Sequence, residues 1–111
     1  MMTQNTIEKI EEKIRINKSL NESDKTQLLS LLTALKPEMA KFSNDQAEHA
    51  ESVAGFIERS TQEALRQQKN PTLLKLAIDG LSASVRGFEA SHPQLVENVN
   101  YIASALANIG I

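Results

Sequence analysis

The chain has 111 residues, a formal net charge of −2 and no cysteine, with a pI near 5.7. That is room for one domain, residues 1–111, with one core, and it leaves no disulfide or thiol chemistry. The mild acidity removes the electrostatic basis for a nucleic-acid or anionic-membrane partner, and an aromatic content of 4% is too low for base-stacking platforms.

The first predicted helix runs from about Thr6 to Lys18. Asn5 and Glu8 have the spacing of a capping box, and Ile7, Ile10 and Ile14 form a narrow apolar stripe. Lys9, Lys13 and Lys18 alternate with Glu8, Glu11 and Glu12, which makes a mixed surface and not a basic patch. The start of the chain has charges where a signal peptide needs an apolar run. No stretch approaches the roughly 18 apolar residues of a membrane span. The expected location is the cytoplasm.

The second helix opens at the Asn21–Asp24 turn, with Asn21 or Ser23 as N-cap. Its seam is Leu28, Leu32, Leu35, Met39 and Phe42. Pro37 interrupts it. Either the helix kinks there or it ends and Pro37 opens a new turn; the break is the favoured expectation. Ser43 and Gln46 then resemble another capping box. From about Asn44 to Gln68 the composition is helical, and a continuous helix would be roughly 37 Å long. Its apolar side is thin: Ala47, Ala50, Ala54, Ile57 and Ala64, with Val53, Phe56 and Leu65 near it. This segment is expected to be mobile or to need a partner.

Asn70-Pro71 starts the fourth helix, to about Phe88, with the seam Leu74, Ile78, Leu81, Val85 and Phe88. Beside it runs a stripe of small residues, Ala77, Gly80, Ser84 and Gly87. Two readings fit that stripe: close approach of a neighbouring backbone, or fraying near Gly87. Ser91 and Gln94 have capping-box spacing for the last helix, with Pro93 in its first turn. Its seam is Leu95, Val99, Ile102, Leu106 and Ile109, and Gly110 stands where a helix stops. From Ser91 to Ile111 the only charged side chain is Glu97, so this helix is expected either at the centre of the bundle or against another subunit.

The three seams step four, three, four, three, the spacing of helices packed side by side. The expectation is an all-α antiparallel bundle of four to five helices, ending in an αα-hairpin. Leu32, Leu35, Ile78, Leu81, Val85, Phe88, Val99, Ile102 and Leu106 are expected to be buried together.

The run Gly87-Phe88-Glu89-Ala90-Ser91-His92-Pro93, with the Ala-Leu-Ala-Asn-Ile-Gly-Ile stretch at 105–111, resembles a family of small bacterial helical proteins of unknown function. The likeness implies a small bacterial cytosolic protein and supplies no activity, ligand or catalytic residue.

Chemistry-bearing constellations are sparse. Asp45 and His49 have i,i+4 spacing, with Glu48 and Glu51 near, but a bound metal needs three or four ligands and no second motif supplies them. His92 near Glu89 reads better as a polar residue at a helix start than as an acid–base pair. No serine has a neighbouring base and no glycine-rich loop follows a strand. The expectation is therefore no catalytic, cofactor or metal residue and no enzyme. The favoured function is a non-enzymatic helical protein that self-associates, as a two-fold dimer, or binds another protein. The alternative is a small-molecule or metal-binding helical bundle.

Overall fold

The structure, a computed structural model, describes residues 2–111. It is all-helical among these residues: α1 (Met2–Ile16), α2 (Glu22–Ala40), a short 3-10 turn (Asn44–Gln46), α3 (Ala47–Ala64), α4 (Pro71–Ser84) and α5 (Pro93–Ile109).

The helix α1 begins a turn earlier than its apparent capping box, so Asn5 lies inside it and is not its N-cap. The reason is that Thr3, Ile7, Ile10 and Ile14 form one buried stripe, and burial of Thr3 carries the helix upstream. Two side-chain contacts dock α1 on α2. The Gln4 side chain donates to the Lys36 carbonyl at 3.0 Å. The Lys36 ammonium meets the Glu11 carboxylate at 2.6 Å, with the Glu11 side chain only 3% exposed. Early residues of α1 thus meet late residues of α2, and the pair is antiparallel.

Asn21 caps α2 as its residue type requires, accepting from the Asp24 backbone N–H at 2.7 Å. Pro37 does not break this helix, which continues to Ala40. A proline in a helix removes one hydrogen bond and crowds the preceding turn. Here only the last turn is affected, and it carries Met39, 2% exposed, into the same core as Leu28, Leu32 and Leu35. Burial of the methionine offsets the cost of the proline.

The segment over 44–68, whose continuity the composition leaves open, is not one continuous helix: it is the 3-10 turn followed by 18 residues of α3. Gln46 accepts from the Ser43 backbone N–H at 3.2 Å, as the box spacing predicts. The end of α3 is covered by Lys69, whose ammonium donates to the Ala64 carbonyl, the favoured charge at a helix C-terminus. The thin face does not leave α3 at the periphery. It packs against α1, α4 and α5, burying Ala50, Val53, Ala54, Ile57 and Ala64. Small side chains are what let three neighbours approach it.

Four helices close a ring in which α1 meets α2, α2 meets α5, α5 meets α3 and α3 meets α1; α4 packs outside, in the angle between α3 and α5. The nearly uncharged α5 is therefore central, with Leu95, Val99, Ile102, Ala103, Ala105 and Leu106 buried. Of the expected core, Ile78 and Phe88 are only half-buried and the rest is buried.

The helix α4 ends at Ser84, short of Phe88. Gly87 follows in the turn at φ +95°, a conformation that an L side chain disfavours. The small stripe of α4 separates accordingly: Gly87 serves the turn, whereas Gly80 faces α3. A β-carbon at Gly80 would come 2.4 Å from the Phe56 ring. Gly110 is in the right-handed region, and its role is again close approach, because a β-carbon there would lie 2.4 Å from a Leu74 methyl and 3.3 Å from the Ala64 Cα.

Gly55, in the interior of α3, has open space where a β-carbon would go. Gly55→Ala should therefore stabilise the fold by about 0.5–1 kcal/mol through helix propensity alone; a lowered urea midpoint would show that the space is used.

Ser91 is not the cap of α5. Pro93 takes the first helical position, so His92 is the N-cap, and no side-chain cap bond forms. The His92 N–H donates to the Phe88 carbonyl at 2.7 Å, and the His92 carbonyl accepts from Val96. Ser91 is exposed. Ser91→Ala should change stability by less than about 0.5 kcal/mol, as other surface changes do, against the ~1 kcal/mol of a lost cap; chemical denaturation separates the two.

Candidate functional site

The connections into α3 and α5 lie at the same end of the antiparallel bundle. Phe42 closes the seam of α2, Phe88 follows the seam of α4, and His92 immediately precedes α5. These residues and His49 of α3 come together there. The rings of Phe42 and Phe88 meet edge to face at 5.2 Å, Phe42 and His92 at 4.5 Å, and His49 and Phe88 at 5.4 Å. Edge-to-face and tilted contacts at this range are the favoured aromatic arrangements. The cluster collects both histidines of the chain and two of its three phenylalanines.

Neither histidine is placed for the chemistry weighed from the sequence. Asp45 lies in the 3-10 turn and His49 in α3, and among the described residues no group of three or more His, Cys, Asp or Glu side chains is arranged to hold a metal. The Glu89 carboxylate accepts from the Gly87 N–H at 2.9 Å, which ties down the turn instead of serving His92.

From this cluster a trough of about 460 Å³ runs between α3 and α4, with Gly80, Ala83, Ser84 and Gly87 on the α4 side and Ser52 and Phe56 on the α3 side. Phe56 remains 39% exposed. Leu76, one turn before Gly80 on the same side of α4, is 62% exposed. Arg86 also lines the trough. Arg15, Arg59 and Arg66 each pair with a glutamate, whereas Arg86, among the described residues, has no carboxylate partner.

A second concavity lies on the other side of α4, against the end of α5, with Leu74, Ile78, Ala107 and Gly110 in its walls. The sequence pattern puts Phe56 only beside the thin apolar side of its helix, and it marks neither Arg86 nor this second groove. The available signal was that Phe42 and Phe88 each end a seam, which in an antiparallel bundle brings them to one end.

A domain family of unknown function, DUF4404, matches residues 32–111. The chain belongs to the DUF4404 family. The matched region begins within α2 and takes in α3, α4 and α5, so both concavities lie wholly inside the DUF4404 domain. No curated protein and no solved structure matches the chain. No helix among the described residues is long and apolar enough to cross a membrane.

Proposed function

We propose that this DUF4404 protein is a non-enzymatic, cytoplasmic bacterial protein that works by binding protein, and that its first partner is a second copy of itself seated on the α3–α4 trough. In the same reading, the Phe88–Pro93 turn is a signature of the family. Each feature that suggested self-association from the sequence has an intramolecular use: α5 is central, α3 is packed on three sides, and Gly80 receives Phe56.

The observation that carries the reading is therefore a different one. A two-fold interface uses one patch on both subunits, so that patch must hold both a projection and a recess. The α3–α4 face has both. Leu76 and the exposed part of Phe56 project, and Ala83 and Ser84, beyond the Gly80 that Phe56 covers, form a shallow recess between the helices. Exposed aromatic and leucine side chains beside small ones are the material of helix–helix docking.

Sedimentation equilibrium at micromolar concentration tests it. The expected mass is twice 12.3 kDa, and Ala83→Arg, an exposed substitution in the recess, should return it to the monomer without loss of helical circular dichroism. A wild-type protein that sediments as a single monomeric species ends the proposal, and a dimer indifferent to Ala83→Arg moves the contact elsewhere.

A further inference from the structure

We propose that the groove between α4 and the end of α5 binds a free straight-chain carboxylate, such as a medium-chain fatty acid. This inference does not rest on self-association, because the residues that carry it lie on the opposite side of α4. The groove encloses about 400 Å³. That is at the small end of the roughly 300–1,000 Å³ range of small-molecule sites.

Its walls are carbon: Leu74 and Ile78 from α4, Ala107 and Gly110 from the end of α5. Among the described residues, Pro71 and Ile111 complete the lining, in which no side chain is acidic, and its charged side chains are Lys69 and Lys75, the latter paired with Asp79. Both lysines are exposed, and their side chains border the apolar recess. Each has one existing bond, Lys69 to the Ala64 carbonyl and Lys75 to Asp79 at 2.8 Å. An ammonium has three donors, so both retain capacity for an anion. An apolar recess under two cations complements an alkyl chain with an anionic head.

The shape of Gly110 belongs to the same argument. With no β-carbon, it lets α5 end against Leu74, and both residues line the groove.

The test is titration of decanoate and of decanol into the full chain, followed by the methyl resonances of Leu74 and Ile78. Decanoate should bind saturably and shift both methyls. Dodecanoate should bind tighter, by up to about fourfold per added methylene that is buried. Decanol should bind at least fivefold more weakly, and Lys75→Gln should narrow that gap. Ala107→Phe, which fills the groove, should abolish binding of both while circular dichroism stays helical; should that variant unfold, the methyl shifts still locate the ligand. Absence of saturable binding, equal affinity for decanoate and decanol, or unmoved Leu74 and Ile78 methyls would each overturn the proposal. Binding to phosphatidylglycerol vesicles without binding to decanoate would replace it with a membrane surface.

Discussion

Leu81→Ala should destabilise the protein by roughly 2–5 kcal/mol, the range for truncating a fully buried leucine. Leu81 has no exposed surface and lies on α4, the helix outside the four-helix ring. The substitution removes a large apolar side chain and leaves a cavity where α4 packs on α3 and α5. The core that Leu81 shares with Val85, Ile57 and Leu106, all buried, can close such a cavity only in part. Leu76→Ala, five residues earlier on the same helix but 62% exposed, should cost less than about half a kcal/mol. Urea melts of the two variants read the contrast directly. If they lose equal stability, α4 is not held as described.

Lys36→Met should cost about 2–4 kcal/mol, for a different reason. Glu11 is a charge in an apolar stripe: its side chain is 3% exposed, and Lys36 stands 2.6 Å from it, with the Thr33 hydroxyl at 3.4 Å. Removing the lysine leaves a buried carboxylate with little compensation, and breaking a buried pair from one side is the costly direction. The Lys36 side chain is 30% exposed, so solvent softens the loss and places it toward the lower end. Replacing both members, Glu11→Met with Lys36→Met, removes the desolvated charge as well as its partner. The double variant should recover to within about 1 kcal/mol of the wild type. A double variant no better than the single would show that Lys36 contributes packing and not charge.

Much of the fold is legible in the sequence because burial on helices is periodic. The seams on α2, α4 and α5 lead to the observed core through Leu32, Leu81 and Leu106, and Asn21 caps where its spacing says. The misreadings share a cause. Asn5, Pro37 and Ser91 are local signals, and in each case a tertiary or steric term outranks them: burial of Thr3 upstream of Asn5, burial of Met39 downstream of Pro37, and the fixed geometry of Pro93 that makes His92 the cap. The thin face of α3 was misleading in the same way, since apolar area on one helix does not reveal how many neighbours share it. The surface is the least legible part. Phe56, Arg86, Lys69 and Lys75 carry no motif, and only the packing of α4 against α3 and α5 puts them on two concavities.

That packing makes α4 a thermodynamic hinge between the two surfaces. It forms one wall of the α3–α4 trough and one wall of the α4–α5 groove, and the ring of α1, α2, α5 and α3 closes without it. An excursion in which α4 lifts away would dismantle both walls at once, so any ligand that holds α4 down at one side raises affinity at the other, and does so reciprocally. Amide exchange along Leu74–Ser84 should slow on occupation of either surface. A fatty carboxylate on one flank and a second subunit on the other would then communicate through a single helix, with no change of shape in the bundle beneath it.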